Sequence, residues 1–114
     1  MYKAKIEFIL EMIERVEIIV KRHNGVVNAL RDIEGEMAIL MAIAQIGESL
    51  KKLPDELLEK YDLLEDKRGA YYTRNYIVHD YEGVNLAFVE NIVRKYLPSL
   101  KEKMIKIKEA IETS

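Results

Sequence analysis

Residues 32–54 read DIEGEMAILMAIAQIGESLKKLP, and this stretch decides the fold. Asp32 stands where a helix N-cap belongs. Glu34 and Glu36 follow in the first turn, where carboxylates favour the positive end of the helix dipole. Met37, Leu40, Met41, Ala44, Ile46, Leu50 and Leu53 carry the apolar pattern forward until Pro54 stops it. Between Ile39 and Ile46 the helix is apolar nearly all round, and its alanines are small. A helix of that kind is buried on more than one side, at the centre of a bundle or in the seam of a dimer.

Helical spacing continues on both sides. Ile6, Ile9, Leu10, Ile13, Val16 and Val20 recur at three- and four-residue steps and predict a first helix ending near Arg22–Gly25, where Asn24-Gly25 is a stop signal. Val26–Arg31 reads as a turn or a short helical piece. Beyond Pro54, a short helix to Tyr61 precedes a third long helix from about Asp66 to Tyr81, with Gly83 as its stop. Asn85 caps a fourth helix, Leu86–Leu97, and Pro98 either kinks it or begins a fifth. Leu97, Leu100, Met104, Ile107 and Ile111 form the last apolar stripe, with Lys101, Lys103, Lys106 and Lys108 around it. No stretch keeps a strand period. The expected fold is all-α, an up-and-down bundle of four to five helices formed by residues 1–114 as one domain.

Composition narrows the function. The chain has 114 residues, of which 49% are hydrophobic and 33% charged, enough for a core without disulfide or metal staples. The absence of Cys excludes a disulfide framework, a thiolate zinc site and a cysteine nucleophile, and it fits a reducing cytoplasm as the expected location. Charges at Lys3, Lys5, Glu7, Glu11, Glu14, Arg15 and Glu17 interrupt the first helix, so neither a signal peptide nor a membrane span is expected. The net charge of -2 argues against a protein that coats nucleic acid, but not against an enzyme with one local phosphate site. The lysines after Pro98 read as a solvated face or as a grip for RNA.

The chemistry concentrates in Arg74-Asn75-Tyr76-Ile77-Val78-His79-Asp80-Tyr81. The Arg guanidinium is a planar fork of donors that matches phosphate oxygens. Histidine takes and returns a proton near neutral pH. RNA carries its own nucleophile, so cleavage needs a base for the 2′-hydroxyl, an acid for the leaving 5′-oxygen and a cation for the phosphate. Arg74 and His79 supply these in kind without a metal. On a straight helix the two diverge by about 140°. Either the helix end unwinds near His79, or two copies of the segment face each other across a dimer axis. The competing reading makes both residues satisfied partners in a polar bundle seam. With two histidines and no HExxH pattern, no zinc site is expected. Glu48 reads as the partner of a buried cation rather than a catalytic acid.

The run Arg74–Tyr81 resembles the Arg-x4-His-x-Tyr signature of the HEPN superfamily, and more narrowly the HepT-type toxins of prokaryotic toxin–antitoxin pairs. Gln45-Ile46-Gly47-Glu48-Ser49, Leu97-Pro98-Ser99-Leu100 and the overall length are similar to that family's pattern, so the resemblance spans almost the whole chain. Relatives often carry Trp and a glycine-containing stretch before the Arg; here the run is Asp66–Thr73. The resemblance implies a homodimeric, cofactor-free endoribonuclease with its active site at the dimer interface. Arg74 would then hold phosphate, His79 would transfer the proton and Asn75 would support or orient them. Tyr81 would be the tyrosine to which a minimal nucleotidyltransferase antitoxin transfers AMP. An alternative from another class is a noncatalytic subunit that binds such a nucleotidyltransferase.

Overall fold

A computed structural model describes residues 2–114. It is helical throughout: α1 (Lys3–Arg22), α2 (Val26–Arg31), α3 (Ile33–Lys51), α4 (Asp55–Lys60), α5 (Leu64–His79), α6 (Leu86–Asn91) and α7 (Leu97–Thr113). A 3₁₀ turn, Tyr81–Gly83, separates α5 from α6. The long helices pack in the order α5, α3, α1, α7, with α5 against α3 the most extensive pair.

The central position of α3 explains its composition. Ile39, Leu40, Ala42, Ile43, Ala44 and Ile46 are all buried within one protomer, between α1 on one flank and α5 on the other. The run thus fills a bundle centre on all sides but one, where Met41 is exposed. Ile6, Ile9, Ile13 and Val16 of α1 and Leu97, Leu100, Met104 and Ile107 of α7 join the same core.

The helix ends follow local chemistry. Asp32 caps α3 by accepting from the Gly35 N–H at 2.9 Å. That hydrogen bond, with the nearby His23 charge, holds the Asp32 carboxyl below its ordinary range. His23 links helix ends: its Nδ1 lies 2.8 Å from the Ile19 carbonyl, and its Nε2 lies 3.3 Å from Asp32 Oδ2. After α1 the backbone turns at positive φ, 61° at Asn24 and 135° at Gly25.

Pro98 stands in the first turn of α7, as the reading that it begins a further helix expects. Helix runs without a break from Leu86 to Thr113, but Ile92–Tyr96 is wound as a π turn. Proline has no N–H, and in an α-helix its ring meets the carbonyl four residues back, here Arg94. The wider turn relieves that clash.

Three of the four lysines of α7 are drawn into the fold, and Lys106 is exposed without an ion pair among the described residues. Lys101 Nζ lies 3.0 Å from both carboxylate oxygens of Glu17, and Lys108 Nζ lies 3.5 Å from Glu7. Lys103 Nζ donates to the Asp62 carbonyl at 3.0 Å, and Lys3 of α1 pairs with Glu112 at 3.4 Å. Among the described residues no helix is long and apolar enough to cross a membrane.

Candidate active site

The site forms where α3 and α5 come closest, at Gly47. A Cβ built there would stand 2.5 Å from the Ala70 carbonyl oxygen and 3.0 Å from Arg74 Cβ. Only a residue without a side chain lets the two backbones approach this far. The approach brings Glu48, the next residue on α3, to Arg74 on α5. Arg74 Nε lies 3.2 Å from Glu48 Oε2, an oxygen shielded from solvent. The contact is an ion pair rather than an aligned hydrogen bond, since Oε2 has no hydrogen-bond partner among the described residues. On the other side, Arg74 Nη1 donates to Asn75 Oδ1 at 2.8 Å. The Tyr71 ring lies 5.7 Å from the guanidinium carbon. Held at both edges, the guanidinium retains Nη2 without a partner among the described residues.

Arg74 opens into a groove of about 310 Å³ between α3 and α5, walled by Met37, Met41, Ala44, Ile77, Val78 and Tyr81. Met37 is 57% exposed, Met41 60% and Val78 51%. Such an apolar rim around a paired cation is a surface that another chain can cover.

The structure places the motif residues differently from a continuous helix. The third long helix, expected over about Asp66–Tyr81, runs Leu64–His79 instead and stops at Asp80, whose φ of -138° and ψ of 48° break it. Tyr81 therefore belongs to the 3₁₀ turn, not to α5. Its side chain reaches the Arg74 groove all the same. The turn is fastened by Tyr76, whose hydroxyl donates to the Gly83 carbonyl at 3.2 Å and accepts from the Asn85 N–H at 2.9 Å. The Tyr76 ring meets Phe88 edge-on, with centroids 6.1 Å apart. The expected cap at Asn85 is formed: Oδ1 accepts from the Ala87 and Phe88 N–H groups at 2.9 and 3.2 Å.

His79 is the last residue of α5 and is exposed. The helix unwinds only after it, so the break does not swing His79 towards Arg74. His79 is absent from the Arg74 groove. Within one protomer the structure thus brings together Arg74, Asn75, Glu48 and Tyr81 and leaves His79 on the neighbouring face. The role of Tyr76 had no local signal, because its partners Gly83 and Asn85 are defined only when the chain turns back.

A larger cavity, about 480 Å³, lies elsewhere, between α3, α5 and the π turn, and none of Arg74, Asn75, His79 and Tyr81 lines it. It is apolar apart from Glu65, Asp66, Thr73 and the tyrosines. Burial, together with the Asp66 charge, pushes the Tyr96 hydroxyl well above the ordinary phenol range. Among the described residues no cluster of three His, Asp or Glu has metal-binding geometry.

An all-helical bundle with an Arg-x4-His motif on α5 is the pattern of a HEPN-type protein. The chain belongs to the HepT-like ribonuclease family, which matches residues 9–107. A Methanocaldococcus jannaschii protein named as a gamma-glutamylcyclotransferase and candidate RNase is 37% identical over 75 residues, covering 66% of this chain and 33% of that relative. A candidate RNase of the same organism is 26% identical over 107 residues, covering 92% of this chain and 88% of the relative. A candidate RNase of Caldanaerobacter subterraneus is 28% identical over 101 residues, covering 87% and 88%. This chain therefore matches a third of the first relative's length and most of the other two. No solved structure gives a significant match.

Proposed function

We propose that the chain is a metal-independent endoribonuclease, the toxin of a toxin–antitoxin pair, and that it works as a homodimer. The observation that carries this reading is the clamped Arg74 guanidinium. Glu48 and Asn75 hold it at two edges, Nη2 has no partner among the described residues, and Arg74 lines an open groove. A guanidinium fixed in advance stabilises the developing charge on a pentavalent phosphorane with no reorganisation during the reaction.

The reaction balances with two proton carriers. One His79 removes the proton of the 2′-hydroxyl as that oxygen bonds to the adjacent phosphorus. The bond from phosphorus to the 5′-oxygen breaks, and a second His79 protonates the leaving oxygen. The products end in a 2′,3′-cyclic phosphate and a 5′-hydroxyl. Arg74 and His79 of one α5 diverge, so the site is completed by a second copy whose α5 faces the first. The exposed Met37, Met41 and Val78 around the groove supply apolar surface for that pairing.

Tyr81 is the regulatory handle in this reading. Its side chain lines the same groove as Arg74. AMP transferred to its hydroxyl by a nucleotidyltransferase antitoxin, with pyrophosphate leaving ATP, sets a phosphate beside the guanidinium that RNA needs.

The test is RNA cleavage in EDTA by the purified protein and by mixed variants. Arg74→Ala and His79→Ala should each be inactive alone. Mixed with wild-type protein and allowed to exchange subunits, His79→Ala should silence the mixed dimer as well, because that dimer keeps only one of the two His79 proton carriers. A monomer with full activity, activity abolished by EDTA, or undiminished cleavage by His79→Ala overturns the reading.

A further inference from the structure

A second groove, about 440 Å³, runs along the outward face of α5 towards α4. Lys51, Lys67, Arg68, Tyr71, Tyr72 and Asn75 line it. Its cations differ in freedom. Lys67 is committed, donating to Asp55 at 2.6 Å and to the Leu53 carbonyl at 3.0 Å. Lys51 instead stands over the Tyr71 ring, 3.9 Å from its centroid. Neither Lys51 nor Arg68 has a carboxylate partner among the described residues, and both are exposed. Tyr72 is 71% exposed, an unusual outlay of aromatic surface to water.

The groove adjoins the candidate site. Asn75 lines it, and the same Asn75 Oδ1 accepts from Arg74. Along α5, Arg68, Tyr72, Asn75 and His79 follow at steps of four, three and four residues, so they share one ridge within about 60°. Cations, an exposed ring and the proposed proton carrier thus lie in file on one surface.

We propose that this groove is a subsite for the nucleotide flanking the scissile phosphate. Tyr72 stacks the base, and Lys51 and Arg68 hold the phosphate beside it. The inference rests on the ribonuclease reading and adds the form of the substrate. A base inside a duplex has both faces covered and offers none to Tyr72, so the subsite takes unpaired RNA. Stacking tolerates any base, because each has a π face. The cation–π contact keeps the Lys51 ammonium over Tyr71, beside the ridge the backbone would follow.

Binding is measured by fluorescence anisotropy with a 2′-O-methyl hexanucleotide, which lacks the nucleophile and is not cut. Tyr72→Ala should weaken binding by about 5- to 100-fold, while Tyr72→Phe keeps wild-type affinity. Lys51→Gln with Arg68→Gln should lower the slope of log affinity against log salt by about 0.7, the value for one phosphate no longer neutralised. A duplex of the same length should compete poorly. Unchanged affinity in Tyr72→Ala, a duplex that competes equally, or no binding by the wild-type protein overturns the subsite. The unmodified oligonucleotide is then tested for cleavage. Intact binding without cleavage overturns the ribonuclease reading and leaves the groove as a site for unpaired RNA alone.

Discussion

The cations of α7 and those around α5 are the same chemistry under opposite conditions. Lys101 and Lys108 reach across to Glu17 and Glu7 of α1, and Lys103 to a backbone carbonyl. They fasten one helix to another. Arg74 is also paired, but its partner Glu48 and its neighbour Asn75 grip only its edges. Lys51 and Arg68 lack carboxylate partners altogether among the described residues. A cation whose charge is met within the fold adds little to phosphate binding, and one left open adds much. In the helix richest in lysine only Lys106 is left without a partner among the described residues.

The contrast breaks first at the motif. Arg74→Ala and His79→Ala should each lower cleavage by about 10²- to 10⁴-fold with the helical circular dichroism unchanged, as removal of a phosphate-stabilising charge or a proton carrier requires. Comparable decreases from the α7 lysines would erase the distinction. Glu48→Ala should cost about 10- to 100-fold in kcat, because an Arg74 freed at one edge no longer points at the phosphate. Glu48→Gln, which keeps an oxygen at that position, should fall between.

Two further effects fall on stability. Gly47→Ala forces a methyl against the Ala70 carbonyl and Arg74, and urea unfolding should show a decrease of about 1–3 kcal/mol. Replacing Lys101 and Lys108 by Gln should cost at most about 1 kcal/mol for each half-exposed pair, with the difference fading in high salt. RNA affinity should stay within about twofold if those lysines are committed to α1, since each phosphate they held would show as a salt-slope change of about 0.7.

The smallest effect concerns pH. The Asp32 carboxyl is held below its ordinary value of 3.8 by the Gly35 N–H and by His23. A depressed folded value makes the carboxylate stabilising above about that pH, and the contribution is lost as pH falls through the lower, folded value. The Tm advantage of the wild type over Asp32→Asn should therefore be present at pH 6 and shrink below pH 4. An advantage that grows in acid reverses the assignment.

The bundle was legible because helices announce themselves locally. The stripes on α1, α3 and α7, the caps at Asp32 and Asn85 and the stop at Asn24-Gly25 all depend on neighbours within one or two turns. The central burial of α3 was legible too, from apolar residues on every side of Ile39–Ile46. The end of α5 was not. Nothing in His79-Asp80-Tyr81-Glu82-Gly83 forbids two more helical residues. The turn forms there because Tyr76 finds Gly83 and Asn85, partners that exist only once α6 folds back.

By itself the sequence determined that this chain is an all-helical member of the HepT-like ribonuclease family and marked Arg74–Tyr81 as its candidate site. Periodicity and a motif are written along the chain, within the reach of a few residues. Only the tertiary structure decided which charges stay available. Glu48 meets Arg74 because Gly47 lets α3 and α5 approach, Glu17 meets Lys101 because α1 and α7 share a core, and Tyr81 reaches the groove from a turn. Charge compensation acts through space between segments far apart in sequence, so a count of lysines does not contain it.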